Sequence, residues 1–600
     1  MTILANRLFK SPISVAAVCV AVFTFFAGNA VAQQAQPSII DYGARHHAAT
    51  DADGMVAVQN AIAAEIGAQI LADGGNAVDA AVAVGMTLAV TLPRAGNLGG
   101  GGFMLIYLAE DDETVAIDYR ERAPAAATRD MYLDDNGDPN PMASRFSYLA
   151  AGVPGTVAGM HHALSRYGTM SWEQILRPAI RIAEDGMRVS PDLAQALARR
   201  RERLGRDPAT LKAYYKPNGE PYETGEILKQ PDLAWSLKRI AANGPDAFYK
   251  GAIADRIVAA MEANGGLITA EDLASYAPTE REPVQGTYRG LKIVAMPPPS
   301  SGGVLIIQML NVLEQFDLAA AGFGSAQHLH WLTEVMRTAY ADRSQHLGDP
   351  DFYTESYEWL MTKAYAREIA AQIDPNKARQ STQVAPAVAP VAESPDTTHY
   401  GVMDRYGNTV VNTYTLNFSY GSGITIPGTG ILLNNEMDDF SAKPGTPNGF
   451  GLLGNEANAI GPGKRPLSSM TPTIVFRDGK PWIATGSPGG SRIITTVLQV
   501  MINLIDFDMS PSDAVAAPRI HHQWFPDRLF MEAGFSPDTL KLLKSMGHDA
   551  DMRRRTMGSA QTIVFEEGLM RGAADPRRPD ALALGPRDLR CRNGEVACAH

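Results

Sequence analysis

Alternating apolar and polar positions predict a β-hairpin between residues 398 and 416. Residues 398–403 alternate with the period of two that is expected of a strand. Asp404 to Asn408 predicts the turn, and the alternation returns from Thr409 to Leu416 with many β-branched and aromatic residues. The hairpin therefore carries Thr397 at its outer end.

The segment that precedes the hairpin, Ser381 to Asp396, is rich in Pro and Ala, lacks apolar periodicity and is typical of an exposed linker.

A linker that runs straight into a core strand suits an N-terminal nucleophile. The hydroxyl of Thr397 needs a base to take its proton, and a free α-amine on the same residue, with a pKa near 7.7–8.0 in model peptides, can be that base. The amine exists only if the Asp396–Thr397 bond is cut. The hydroxyl can itself attack the Asp396 carbonyl, giving an ester that hydrolyses. The alternative is that Thr397 and Thr398 are ordinary strand residues.

Elsewhere the apolar spacing predicts strands mixed with amphipathic helices that form scaffold layers, and Asn76 resembles an N-cap. The predicted strands are Met55–Val58, Phe103–Leu108, Thr114–Tyr119, Pro472–Arg477 and Pro481–Thr485. The predicted helices are Asn60–Asp73, Ala77–Val90, Gly152–Tyr167, Ser171–Asp185, Pro191–Arg201, Asp232–Asn243, Val304–Phe316 and a helix that ends at Leu504.

Two glycine-rich stretches are candidates for close backbone contacts. In Gly96 to Phe103, four consecutive glycines suit either a phosphate or a tight crossing of packed strands, and we favour packing because no Walker lysine or Rossmann spacing is present. Gly486 to Arg492 is a strand-to-helix turn whose N–H groups suit an oxyanion. Ser487 lacks the Gly-x-Ser-x-Gly context and is a poor candidate for a nucleophile.

Several polar residues have two interpretations each. Glu436 and Asp439, three residues apart, either solvate a loop or clamp a ligand ammonium. Ser441 to Pro462 is long and rich in Gly, Pro and Asn, which suits a lid. The strand that closes at Tyr119 is followed by Arg120 and Arg122, and a surface position is the usual case for either arginine.

His328-Leu-His330, followed by Glu334, invites a metal interpretation. Residues two apart on a helix point to different faces, however, so we expect one buried and one exposed histidine and no metal site. Cys591 and Cys598 remain in a short polar tail, and in an oxidising compartment they suit a disulfide.

The N-terminus predicts export. Arg7 and Lys10 precede an apolar run from Val15 to Ala27, and Ala30 to Ala32 offers small residues for cleavage, so residues 1–32 are predicted to be a secretory signal peptide. The run is shorter than the roughly 20 residues of a spanning helix, so no membrane anchor is expected. The mature protein is expected in the periplasm or secreted.

The net charge argues against a nucleic-acid-binding protein, and the length allows a large core. The chain has a net charge of −12, and removing a leader with two bases and no acid gives −12 − 2 = −14, which makes nucleic acid an unsuitable partner. Its 600 residues, 45% of them hydrophobic, suffice for one large core or for two subunits cut from one precursor.

Seven motifs occur in one order along the chain, and together they resemble γ-glutamyltranspeptidase, also called glutathione hydrolase. The motifs are Asn97–Phe103, Pro297–Gly303, Thr397–Tyr400, Tyr414–Asn417, Leu432–Phe440, Arg465–Ser469 and Gly486–Arg492. The resemblance implies an α+β fold, a four-layer αββα sandwich of the N-terminal-nucleophile type. It also implies self-cleavage into a large subunit, 33–396, and a small subunit, 397–600, which form a heterodimer, with no cofactor.

The same resemblance implies residue roles. Thr397 would be the nucleophile, with Thr415 hydrogen-bonding near it. Arg120, Ser468 and Ser469 would hold the substrate α-carboxylate, and Asn417, Glu436 and Asp439 its α-ammonium. The N–H groups of Gly489 and Gly490 would form the oxyanion hole.

Two positions depart from many bacterial relatives. Phe450 replaces a lid tyrosine, so a phenolic hydrogen bond that closes the pocket is expected to be missing. Glu436 replaces a glutamine found in some relatives, which should strengthen ammonium binding.

The expected reaction transfers the γ-glutamyl group of glutathione or a related compound to water, amino acids or peptides. The alternative within the fold is a cephalosporin-type acylase, whose substrate has no α-ammonium. The alternative from another class is a periplasmic solute-binding protein that performs no chemistry.

Overall fold

The structure is a computed structural model that describes residues 47–385, 397–553 and 556–595. The predicted signal peptide, Asp396 and Cys598 lie outside the described residues. No described helix combines the length and the apolar character that crossing a membrane requires.

The strands form two large antiparallel sheets and two small ones. The first large sheet has the order β1-β18-β17-β13-β12-β9-β8 and the second the order β19-β2-β10-β11-β3-β4-β7. The strands are β1 (Ala49–Asp51), β2 (Gly54–Val58), β3 (Gly101–Leu108), β4 (Glu113–Tyr119), β5 (Met187–Arg188), β6 (Ile227–Leu228), β7 (Thr279–Arg281), β8 (Val284–Tyr288), β9 (Leu291–Ala295), β10 (Thr398–Asp404), β11 (Thr409–Thr415), β12 (Thr473–Arg477), β13 (Lys480–Gly486), β14 (Ile520–His521), β15 (Leu529–Glu532), β16 (Ala550–Arg553), β17 (Gln561–Glu566), β18 (Leu569–Ala574) and β19 (Leu582–Leu584).

Helices cover the outer faces of both large sheets. They are α1 (Ala61–Ala72), α2 (Ala77–Thr91), α3 (Pro141–Phe146), α4 (Thr156–Tyr167), α5 (Trp172–Asp185), α6 (Pro191–Leu204), α7 (Pro208–Tyr214), α8 (Pro231–Asn243), α9 (Asp246–Tyr249), α10 (Ala252–Asn264), α11 (Ala270–Ala274), α12 (Gly302–Leu313), α13 (Leu318–Ala321), α14 (Ala326–His346), α15 (Lys363–Ala371), α16 (Ser381–Val384), α17 (Arg492–Ile505), α18 (Pro511–Ala516), α19 (Pro537–Ser545) and α20 (Pro586–Arg592). The predicted cap at Asn76 is present as a capping box with Asp79.

Three hydrophobic clusters correspond to the three interfaces between layers. One joins α1, α2 and their neighbours to the sheet that contains the hairpin, and another joins α12, α14 and α17 to the other sheet. Between the sheets, Phe103 and Leu105 of β3 pack with Ile474 of β12 and Ile563 of β17. The predicted α+β, four-layer αββα arrangement is therefore confirmed.

The predicted hairpin lies at the centre of its sheet, where β10 pairs with β2 and β11 pairs with β3. All residues of both strands are buried. The alternation predicted the strands correctly, but the polar positions such as His399 and Thr413 face the first large sheet and not water. Thr397 directly precedes β10 and is therefore held at a buried end of that strand.

Two predicted boundaries are wrong. The helix expected from Gly152 begins at Thr156, because the N–H groups of Gly155 and Thr156 both donate to the Gly100 carbonyl, at 2.8 and 3.0 Å. The predicted linker also begins too early. Ser381 is buried in α16 and donates from its hydroxyl to the Trp524 carbonyl at 2.5 Å, which a polar composition does not reveal.

Candidate active site

Thr397 lies beside Thr415 where β10 begins and β11 ends. The two side-chain hydroxyl oxygens are 3.2 Å apart, so either group can donate to the other. Thr397 is only 6% exposed, and the N–H of Asn417 donates to the Thr415 hydroxyl at 2.9 Å. Cross-strand geometry therefore brings together two hydroxyl groups that are separated along the chain.

Asn417 directs the chain away from the hairpin toward the acidic segment 436–439. Its φ of +73° lies in the left-handed region, which asparagine tolerates better than most residues. Its side-chain amide donates to the Asn435 carbonyl at 2.9 Å. The side chain of Asn435 in turn accepts from the Phe418 N–H at 3.1 Å, which fixes Glu436 and Asp439 next to the hairpin.

Arg120 joins the two acids. Its guanidinium donates to a carboxylate oxygen of Glu436, to Asp439 at 2.5 Å and to the Pro466 carbonyl at 3.2 Å. The surface position expected for this arginine is wrong, because Arg120 is only 1% exposed. Two carboxylates and a carbonyl replace the water that it gives up.

The cluster has more acid than base. Glu121 also approaches Arg120, with 3.7 Å between a carboxylate oxygen and Nη1. Burial raises the pKa of Glu121 to about 7 and raises the pKa of Glu436 well above its usual value, and repulsion between neighbouring acids adds to both effects. Both carboxylate oxygens of Glu121 and Oε2 of Glu436 accept no hydrogen bond from a described residue. Arg120 alone therefore does not balance the three acids around it, and this cluster suits an added cation.

Ser468 and Ser469 lie on the opposite wall. The Ser468 N–H donates to the Pro299 carbonyl at 2.8 Å. This bond joins the wall to the loop that contains Pro297, Pro298 and Pro299. The Ser469 hydroxyl accepts from Nη2 of Arg343 at 3.3 Å, while Nε of Arg343 donates to the Ser301 hydroxyl at 2.9 Å.

Arg343 is a site residue that sequence reasoning missed. It is buried, forms no ion pair with any acid in the described part of the chain, and burial lowers its pKa to about 10. Its partners Ser301 and Ser469 are 42 and 126 residues away, so no local pattern could reveal it. The composition of its helix gives no signal either, because α14 also contains Glu334, Arg337 and Asp342.

His399 is the second missed residue, two positions beyond Thr397 on the same face of β10. Its Nδ1 lies 2.8 Å from the Thr413 hydroxyl, and burial lowers its pKa to about 3, so the ring is neutral near pH 7. A Cβ on Gly486 would lie 2.3 Å from the ring. The imidazole therefore sets the distance between β10 and β13, the strand that leads into the glycine-rich turn.

The glycine-rich turn leaves two backbone donors unused. The N–H groups of Gly489 and Gly490 donate to no acceptor among the described residues. Gly490 has a φ of +57°, and a Cβ there would lie 2.5 Å from the Phe450 ring. Glycine is thus required both by the backbone and by the ring that covers it.

The loop 441–462, predicted to be a lid, is packed over this turn although Phe450 has no phenolic hydroxyl. The Phe450 ring meets Phe418 edge-on, with 5.3 Å between the ring centroids. The Gly449 N–H donates to Asp438 at 2.8 Å, and the Gln523 side chain donates to the Phe450 carbonyl at 3.2 Å. Aromatic packing and hydrogen bonds to Asp438 and Gln523 therefore hold the loop 441–462 in place without a phenolic hydroxyl at residue 450.

One cavity collects almost all the predicted residues. It is lined by Thr397, Thr415, Asn417, Arg120, Glu436, Asp439, Ser468, Ser469 and Gly490, together with Arg343 and Phe450. Gly489 precedes Gly490 in the turn but does not line the cavity. The volume of about 20 Å³ holds about one water molecule. A ligand larger than a water molecule therefore fits only if the residues that line the cavity move.

The predicted difference between His328 and His330 is wrong, since both are buried in α14. His330, Glu334 and His548 are close enough to hold a metal ion. Nδ1 of His330 and Nε2 of His548 are 2.8 Å apart, and Arg379 donates to Glu334 at 2.7 Å, whereas Nδ1 of His548 has no hydrogen-bond partner among the described residues. The expectation that these residues form no metal site therefore stays a prediction.

The C-terminal tail ends the described chain. Cys591 is disulfide-bonded, as expected for one of the two tail cysteines. Cys598 lies outside the described residues, so the predicted pairing remains a prediction.

Comparisons with known proteins give a consistent result. The sequence profile of the family described as Gamma-glutamyltranspeptidase matches residues 63–585. The chain is 52% identical over 572 residues to the glutathione hydrolase proenzyme of Escherichia coli (strain K12), covering 94% of this chain and 98% of that relative. It is 40% identical over 546 residues to the Acylase ACY 1 proenzyme of Pseudomonas sp. (strain SE83), covering 90% and 94%. The solved cephalosporin acylase from Bacillus halodurans matches with a TM-score of 0.81 at 28% identity, covering 92% of this chain and 98% of that one.

Proposed function

The chain belongs to the γ-glutamyltranspeptidase family of self-processing N-terminal-nucleophile enzymes, and on that premise we propose that Thr397 is the nucleophile that transfers the γ-glutamyl group of glutathione and related compounds. The observation that carries the proposal is the single cavity that contains the Thr397 hydroxyl, Arg120 and the acids Glu436 and Asp439. Family membership also excludes the solute-binding alternative.

Maturation creates the catalytic group. The Thr397 hydroxyl attacks the Asp396 carbonyl, the C–N bond breaks, and an ester links Asp396 to the Thr397 oxygen. Water hydrolyses this ester, leaving the Asp396 carboxylate and a free α-amine on Thr397. The two products are the subunits 33–396 and 397–600, which stay together as a heterodimer because β10 pairs with β2 of the large subunit.

Catalysis uses the new amine as a general base. It takes the proton of the Thr397 hydroxyl, whose oxygen attacks the γ-carbonyl of the donor. The unused N–H groups of Gly489 and Gly490 stabilise the oxyanion, and the departing amine receives the proton held by the Thr397 amine. Water or an acceptor amine then attacks the γ-glutamyl ester, and the same groups act in reverse.

The donor head supplies the charge that the cavity needs. Its α-carboxylate replaces Glu436 and Asp439 on Arg120 and is held by Ser468 and Ser469, while its α-ammonium pairs with the two released acids and Asn417. Charge-assisted hydrogen bonds of this kind contribute about 1.5–3 kcal/mol each. The ammonium also reduces the repulsion among the buried acids, so the zwitterion is favoured over a simple carboxylate.

The acylase alternative is tested with a matched pair of donors. Glutaryl and γ-glutamyl p-nitroanilides differ only in the α-ammonium, which Glu436 and Asp439 would bind. We expect kcat/KM to be about 10²–10³-fold higher for the γ-glutamyl anilide. The glutaryl anilide has no α-ammonium, so it leaves the two buried acids without a partner. Equal turnover of both anilides would contradict the proposal. Release of nitroaniline from each anilide, monitored continuously, measures the ratio.

We also propose that residues 1–32 direct export and are removed, which places the mature enzyme in the periplasm or outside the cell. The positive leader, its apolar run and the small residues that follow support this proposal.

A further inference from the structure

A second cavity, of about 520 Å³, lies beside the lid, and five of the ten residues that line it are arginines. This size is typical of a small-molecule site. We call it the arginine cavity. Its charged lining consists of Arg145, Arg199, Arg200, Arg203, Arg206 and Glu202.

The arginine cavity adjoins the cavity that contains Thr397 and Arg120, which we call the catalytic cavity. Phe418 and Gly449 line the arginine cavity, whereas the adjacent residues Asn417 and Phe450 line the catalytic cavity. The rings of Phe418 and Phe450 pack against each other, 5.3 Å between centroids, and form the partition. A ligand anchored at Arg120 that extends past the lid therefore reaches the arginine cavity.

Only some of the arginines that line this cavity form hydrogen bonds or ion pairs that support its walls. Arg203 donates to the Gly421 carbonyl at 3.0 Å, and Arg145 pairs with Asp438 at 3.0 Å, so both support the walls. Arg206 pairs with Glu202 at 3.0 Å, an exposed pair of small energetic value. Arg199 is exposed and forms no ion pair or hydrogen bond with another described residue. Positive charge thus remains available in a protein whose net charge is −12.

We propose that the arginine cavity is the subsite for the carboxylate-bearing amine portion of γ-glutamyl donors, the portion that leaves when the acyl bond to Thr397 forms. The catalytic cavity holds the glutamyl head, so the amine portion is the part of the donor that lies beyond the lid partition. Carboxylates match guanidinium groups in charge and in hydrogen-bond geometry. The inference rests on the proposed function and adds a determinant of donor specificity.

The test compares two donors with the same head. Glutathione carries a carboxylate on its amine portion, and γ-glutamyl p-nitroanilide carries none. In the double variant Arg199→Gln/Arg206→Gln, we expect the KM for glutathione to rise about five- to tenfold and that for the anilide to change less than about twofold, since each exposed pair contributes modestly. The effect on glutathione should shrink at high salt because exposed charges are screened.

The control variant is Arg177→Gln, which removes an exposed arginine of α5 that lies outside both cavities. It should leave both KM values unchanged, and equal thermal unfolding temperatures should show that all variants fold. Equal changes for the two donors, or no change for either, would overturn the assignment of the arginine cavity. Failure of the unaltered enzyme to turn over either donor would instead contradict the proposed function.

Discussion

Replacing Thr397 with alanine should leave a single uncut chain with no measurable γ-glutamyl transfer. The substitution removes the hydroxyl that attacks the Asp396 carbonyl, so the α-amine of residue 397 is never released. Loss of a nucleophile from such a catalytic unit typically costs about 10⁴-fold or more in rate. Denaturing gel electrophoresis measures cleavage, and release of nitroaniline from γ-glutamyl p-nitroanilide measures transfer.

Two variants separate this effect from misfolding. Thr397→Ser keeps a hydroxyl and should still be cut, with reduced activity. Thr398→Ala removes the adjacent hydroxyl, which accepts and donates no hydrogen bond among the described residues, and should mature like the unaltered chain. Two bands from the Thr397→Ala variant would show that another group cuts the chain.

Replacing Arg120 with glutamine should lower kcat/KM for γ-glutamyl p-nitroanilide by about 10²–10³-fold, because the donor loses charge-assisted bonds to its α-carboxylate. It should also lower the free energy of unfolding by about 3–5 kcal/mol, since Glu436 and Asp439 lose their buried partner. Arg120→Lys should recover the charge but not the two-pronged geometry, so its activity should be intermediate. Steady-state kinetics and chemical denaturation measure the two effects.

A donor without the α-carboxylate provides the matched control for Arg120. γ-Aminobutyryl p-nitroanilide keeps the ammonium and the scissile bond, so Arg120→Gln should lower its already slow turnover far less than that of the γ-glutamyl donor. The same fold-loss for both donors would show that Arg120 acts only through the structure of the site.

The sequence predicted the framework of the site because the strand alternation and the glycine positions are local signals. The hairpin, the strand-to-helix turn and the cap at Asn76 were all recognisable from neighbouring residues. The glycines before β3 were correctly interpreted as packing, since a Cβ on Gly100 would lie 2.0 Å from the Thr415 carbonyl oxygen.

Long-range electrostatics were not predictable in the same way. An arginine at the end of a strand is usually exposed, and only tertiary structure shows that two acids more than 300 residues away bury Arg120. The same reason explains the error at His328 and His330, because α14 is covered on several sides and a buried histidine needs only a local partner. The ring packing that holds the lid at Phe450 likewise depends on Phe418 and on the bare backbone of Gly490.

The function proposed for Thr397 depends on a free amine at the start of the small subunit. Intact-mass analysis of the purified mature protein shows whether a fragment begins at Thr397. A second measurement, after brief exposure to a γ-glutamyl donor, shows whether that fragment carries the γ-glutamyl ester. We expect one fragment to begin at Thr397 and to gain the mass of a single γ-glutamyl group on exposure. An unbroken chain that still releases glutamate from glutathione would contradict the proposed activation of Thr397.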